Sequence, residues 1–198
     1  MLYTFVKSMF RVYFALFYKV RTEGLENIPK TGPLLMCANH PTGLDMFLIG
    51  TRIPKRQVHY MAKAELFRNK ILAFLLKHVG AFPVSRGKGD VGSVKTAYKL
   101  LEDGKIVGVF PEGTRTKKKD IKKRKAGAAL FALHSNAQIL PVAIDGEYKL
   151  FKKVRVVFGE PFYLNEQGER AQSVNYSKEE LLNGSEVILN RIYALIGQ

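Results

Sequence analysis

PLLMCANHPTGLD (33–45) joins an apolar run to a polar loop and then to the first turn of a helix, and this junction decides how the chain is read. Residues 34–38 carry no charge, glycine or proline, which suits a strand buried on both faces rather than one alternating between core and solvent. Pro41 and Gly43 then break the run, and helical spacing begins at about Leu44. Working outward, VHYMA (58–62), AFPV (81–84), IVGVF (106–110), QILPVAI (138–144) and VRVVFGE (154–160) read as further strands. Segments 65–78, 91–101, 127–135 and 178–196 read as helices between and after them. Alternation of this kind predicts an α/β fold, a single domain over 24–198 with a mostly parallel central sheet flanked by helices. There is no internal repeat and no linker.

The 198 residues suffice for one well-packed domain, and 46% hydrophobic with 25% charged residues is the composition of a folded chain. A lone cysteine, Cys37, excludes an internal disulfide and a Cys-cluster metal site, so a cytosol-facing location is expected. A formal net charge of +15 calls for an anionic partner: nucleic acid, an anionic lipid surface or phosphorylated small molecules.

Residues 1–23 are apolar but carry Lys7, Arg11, Lys19 and Arg21 and lack a small-residue cleavage site, so they are not read as a signal peptide. The longest uncharged run there, Val12 to Tyr18, is far shorter than the roughly 20 residues a spanning helix needs. Lys7, Arg11 and Lys19 share one helical face, and Phe5, Met9, Val12, Leu16 and Val20 share another. An amphipathic helix lying on an anionic membrane is expected, with a terminal helix packed on the core as the alternative. The segment 65–78 is also amphipathic, and a helix covering the sheet is the reading preferred over membrane contact.

In open α/β sheets ligands gather beyond the carboxyl ends of strands. The residues that follow three of the apolar runs are His40 and Asp45, Ser85 and Arg86, and Glu112-Gly113-Thr114-Arg115. A neutral imidazole accepts a proton from a hydroxyl when a carboxylate fixes its tautomer, and Asp45 is placed to do so for His40 if the 41–43 turn folds back. This is the histidine and aspartate of a catalytic triad without its serine, which leaves the nucleophile to be the substrate's own hydroxyl. Arg86 and Arg115 suit bidentate capture of a phosphate. Glu112 is expected to hold an arginine, to accept from a second substrate hydroxyl, or both.

These blocks carry a resemblance. NHPTGLD, with four residues between its His and its Asp, GAFPVSR, FPEGTR and LPVAI resemble, in order, four motifs of the glycerolipid acyltransferases over about residues 24–145. The 1-acylglycerol-3-phosphate O-acyltransferases are the most similar branch. The resemblance implies transfer of an acyl group from a thioester of coenzyme A or acyl carrier protein to lysophosphatidic acid, giving phosphatidic acid, with no cofactor and no metal. It assigns His40 and Asp45 to catalysis, Glu112, Gly113, Thr114 and Arg115 to acceptor binding, Arg86 to phosphate binding, and the Pro141 region to the acyl side. Thr42 falls within the family's variation.

Other residues are read more plainly. Cys37 reads as a small core residue and His59, His78 and His134 as structural. Gly87 and Gly89 match neither nucleotide-binding pattern. The basic run 117–125 is either a solvated loop or a surface for a membrane, a coenzyme's phosphates or an acidic carrier. A nucleic-acid-binding module is disfavoured because no such motif is present, and a silent lipid-binding protein or another glycerolipid acceptor stays open.

Overall fold

A computed structural model describes residues 2–85, 90–116, 121–135, 137–165 and 175–196. The chain begins with α1 (Leu2–Phe17) and β1 (Lys19–Glu23), then β2 (Leu34–Ala38), α2 (Asp45–Arg52), β3 (Val58–Lys63), α3 (Lys70–His78) and β4 (Phe82–Val84). It continues with α4 (Val91–Glu102), β5 (Ile106–Val109), α5 (Gly127–Ser135), β6 (Gln138–Gly146), β7 (Lys153–Phe158) and α6 (Lys178–Ala194). Among the described residues the strands form one seven-stranded sheet in the order β1-β7-β6-β2-β5-β3-β4. Every neighbouring pair is parallel except β6 with β7.

The uncharged run of the opening motif becomes the central strand β2, buried at every position. Its side chains alternate between two cores. Leu34, Met36 and Ala38 pack with α1 and α2 on one face, while Leu35 and Cys37 pack with α4, α5 and α6 on the other. Each fully buried Leu or Met there contributes roughly 1.5–3 kcal/mol of transfer free energy, so both layers are held by the same five residues. Helix ends follow local chemistry: Asp90 caps α4 by accepting from Ser93 N–H, and Ser177 with Glu180 makes a reciprocal capping box on α6.

Three expectations are corrected. The N-terminal helix stops at Phe17, and residues 19–23 form an edge strand parallel to β7. Helical spacing through Val20 concealed a strand whose ladder partner lies far along the chain. Helix α1 has two apolar faces rather than one. Phe14 is fully buried and Phe10 stacks on Phe47 of α2 at 4.1 Å, whereas Phe5, Met9, Val12 and Leu16 are exposed. Lys7 is turned inward, its ammonium donating to the Ile53 carbonyl. The amphipathic segment 65–78 is not one helix covering the sheet. A 3-10 turn (Ala64–Phe67) precedes α3, which starts where Asn69 accepts from the N–H groups of Ile71 and Leu72, and no residue of α3 is buried.

No described helix is long and apolar enough to cross a membrane.

Candidate active site

Strands β2 and β5 are parallel neighbours, so the loops leaving their carboxyl ends, 39–44 and 110–116, meet on one rim. The backbone of His40 is held from both sides by the second loop. Its N–H donates to Glu112 Oε2 at 3.0 Å, and its carbonyl accepts from Thr116 N–H at 2.9 Å. Asn39, the residue before it, replaces a strand partner: its side-chain amide donates to the Ile144 carbonyl and its side-chain oxygen accepts from Ile144 N–H, at 2.8 and 2.7 Å. Four hydrogen bonds thus fix the chain on which the imidazole is mounted.

The ring itself is held by Asp45, the first residue of α2. Asp45 Oδ2 lies 2.8 Å from His40 Nδ1 and also accepts from Thr42 N–H at 2.8 Å, while Oδ1 accepts from the Thr42 hydroxyl at 3.0 Å. The Thr42 hydroxyl in turn accepts from Leu44 N–H, so the turn predicted at 41–43 is built around this carboxylate. Asp45 is fully buried and the His40 side chain only 12% exposed. An acceptor on Nδ1 places the neutral ring's proton there and leaves Nε2 as the basic nitrogen. Phe110 stacks on the imidazole at 3.9 Å, and Tyr60 stacks behind Phe110 at 6.0 Å.

Glu112 is held inside the protein. It is 1% exposed, and both carboxylate oxygens are engaged inside the protein, Oε2 by His40 N–H and Oε1 by the Tyr193 hydroxyl of α6 at 2.5 Å. It therefore braces the histidine's backbone. Burial raises its carboxyl above the ordinary value, and the bonds from Tyr193 and His40 pull in the opposite direction.

Gly113 has φ +69°, and a Cβ there would stand 2.7 Å from Lys125 Cγ, so backbone and neighbour both require glycine. Thr114 and Arg115 are exposed. The Arg115 guanidinium lies against Gly43, 3.1 Å from where a Cβ would be, so the arginine expected to bind phosphate sits on the histidine loop itself. Arg86, Gly87, Gly89 and the first four residues of the basic run (117–120) lie outside the described residues. Pro141 pairs with Cys37 in the sheet, next to the strand that ends at the site.

Residues not singled out from sequence complete the surroundings. The Tyr148 hydroxyl is buried against Asp45 and Thr42, and burial first and the Asp45 charge second raise it well above the ordinary phenol. The Tyr60 hydroxyl is buried without a hydrogen-bond partner. Neither could be found by motif, because tyrosines on strands and loops are common in cores. Cys37 is fully buried, and desolvation pushes its thiol far above the range in which a thiolate nucleophile forms. Among the described residues no group of three or more His, Cys, Asp or Glu side chains stands where it could hold a metal ion.

Beside the site lies an apolar pocket of about 240 Å³. Gly43, Met46 and Tyr60 bound it near the histidine loop, Val6 and Phe10 of α1 form one wall, and Leu66, Leu76 and Val79 form another.

A base tied to a buried carboxylate at the end of a parallel strand, with no serine, threonine or cysteine hydrogen-bonded to its ring among the described residues, fits a class in which the acceptor supplies the attacking oxygen. The acyltransferase family model matches residues 19–145, which span both loops, and the chain belongs to the acyltransferase family. It is an enzyme of that class.

Among particular proteins, it is 36% identical over 199 residues to the 1-acyl-sn-glycerol-3-phosphate acyltransferase of Bacillus subtilis, an alignment covering 98% of this chain and 96% of the relative. The chloroplastic 1-acyl-sn-glycerol-3-phosphate acyltransferase LPAT1 of Arabidopsis thaliana is 28% identical over 160 residues, covering 74% of this chain and 44% of that protein. The crystal structure of the 1-acyl-sn-glycerophosphate (LPA) acyltransferase PlsC from Thermotoga maritima has the same fold, with a TM-score of 0.71 at 24% identity over 98% of this chain and 79% of that one.

Proposed function

We propose that this enzyme moves a fatty acyl group from an acyl thioester to the free hydroxyl of 1-acylglycerol 3-phosphate, making phosphatidic acid for phospholipid biosynthesis. The observation that carries the reading is the 2.8 Å contact between His40 Nδ1 and the buried Asp45 carboxylate, which prepares Nε2 to take a proton from a substrate hydroxyl. As the acceptor oxygen forms its bond to the thioester carbonyl carbon, its proton passes to His40, and Asp45 stabilises the imidazolium. The C–S bond then breaks, and the departing sulfur takes that proton back. No covalent acyl-enzyme is needed, and the high thiol pKa of Cys37 supports direct transfer.

Arg115, and Arg86, which follows β4 in the sequence, hold the acceptor phosphate. The apolar pocket beside Gly43 takes an acyl chain, each buried methylene adding about 0.8 kcal/mol. The exposed apolar face of α1 rests on an anionic membrane, on its cytoplasmic side, which keeps both lipid substrates within reach. Names of relatives that specify 1-acylglycerol 3-phosphate support the acceptor.

The test is thiol release by purified protein from acyl-coenzyme A and, separately, acyl carrier protein, with and without lysophosphatidic acid. Acceptor-dependent release that drops by at least about 10²-fold in His40→Ala is expected. Release without acceptor dependence, or turnover only with a different lysolipid, would refute the proposed acceptor, and comparison of the two donors identifies the thioester.

A further inference from the structure

Helix α3 has the composition of a core helix and the surroundings of a surface one. Of its nine residues, KILAFLLKH, none is buried. Ile71 is 74% exposed, Phe74 56% and Leu75 41%, and the three share one helical face. Leu66, in the turn before it, is exposed as well. Single exposed apolar residues are ordinary, but a contiguous face of this kind marks an interaction surface.

Its position narrows what covers it. Leu76 and Val79 point into the apolar pocket whose opposite wall is α1, so the two helices with the largest exposed apolar faces stand on either side of one pocket. Charge narrows it further. From Leu66 to His78 there is no acidic residue but there are Arg68, Lys70 and Lys77, and from Leu2 to Arg21 there is again none. A second copy of a chain of net charge +15 would bring like charge against like, whereas anionic headgroups would be attracted.

We propose that α3 is a second lipid-docking helix, inserting Ile71, Phe74 and Leu75 into an anionic leaflet beside the exposed face of α1 and so holding the pocket they share against the membrane. Two inserted helices define an orientation where one would leave the protein free to roll about its own axis. The inference rests on the lipid substrate proposed above.

The test separates the two ideas. The full chain and its Ile71→Gln/Phe74→Gln variant are sedimented, without substrate, with phosphatidylcholine vesicles containing phosphatidylglycerol. Turnover is measured in parallel on short-chain substrates below their micelle threshold, with no vesicles present. Both substituted residues are exposed and lie outside the pocket lining, and glutamine is a good helix former, so fold and basal turnover should be kept. The expected result is a fall in vesicle partition of at least about tenfold with an unchanged thermal midpoint and unchanged short-chain turnover. Val187→Gln, an exposed apolar site on α6 across the sheet, should partition like the parent.

Unchanged partition of the double variant would overturn the proposal. So would an equal loss in Val187→Gln, or a lipid-free dimer of the parent that the double variant dissolves. Absent turnover by the parent would count against the acceptor reading and not against α3, because partition is scored without substrate.

Discussion

Gly43 is the point at which the histidine loop and the Arg115 guanidinium touch. Its backbone is not in the left-handed region, so alanine is permitted there, but the added Cβ would stand 3.1 Å from Arg115 Nη2 and 3.3 Å from Cζ. The atoms in the way are the far end of a flexible, exposed side chain, so the guanidinium would move and the loop would not. Gly43→Ala should therefore raise the acceptor KM roughly three- to tenfold with kcat within about twofold, the signature of lost phosphate binding. Initial rates over a range of lysophosphatidic acid check this, and a collapse in kcat would place the damage on His40. Glu112 teaches the complementary lesson. A carboxylate in a family motif invites a ligand role, yet its burial and two internal partners make it a support for the histidine's backbone.

At the scale of elements, the same carboxylate links helix α6 to the histidine loop. Tyr193 donates to one oxygen and His40 N–H to the other, so a residue near the end of the described chain bears on where the imidazole sits. Tyr193→Phe would leave Glu112 Oε1 short of a donor in a buried site, at a cost of about 1–3 kcal/mol in stability. Turnover should fall roughly three- to tenfold at unchanged KM for both substrates, as expected for a base held less firmly. In a Glu112→Gln background the same change should have little additional effect on kcat, because its route to the base is already altered. Additive losses in the double variant would show that Tyr193 acts some other way.

This coupling was illegible in the sequence, for nothing marks a tyrosine on the final helix as the partner of a glutamate 81 residues earlier. By contrast the His40–Asp45 pair was legible, because both residues and the turn that joins them lie in one short segment. Helix α3 fell between these cases. Periodicity tells which residues share a face, but not whether that face meets the sheet or something outside the protein.

For the molecule as a whole, the mostly parallel sheet could be read from uncharged runs, since strands buried on both faces leave that trace in composition. Strand β1 could not. Its five residues, KVRTE, are mostly charged or polar and only half-buried, as an edge allows, and its ladder is made to β7 at the other end of the chain. There Glu23 accepts from Arg155 at 2.8–3.1 Å and also pairs with Arg21. The hydrogen bond and charge of Arg155 hold the Glu23 carboxyl below its ordinary value. A lowered folded value means that the native state binds fewer protons, so this contribution is complete above the ordinary carboxylate range and is lost as pH falls through the lowered value. The parent should therefore melt above Glu23→Gln at neutral pH, with the two midpoints converging in acid. Parallel curves at every pH would rule this linkage out.

The pairing of β1 with β7 also orders events in time. Glu23 and Arg155 are 132 residues apart, so during synthesis the first strand leaves the ribosome long before its partner exists. Until then α1, which β1 ties to the sheet edge, has only part of its final company, and its aromatic residues are open to whatever apolar surface is nearest. The last packing of α1 on the sheet edge therefore waits for β7, so that the covering of an early helix and the closing of a late strand become one process.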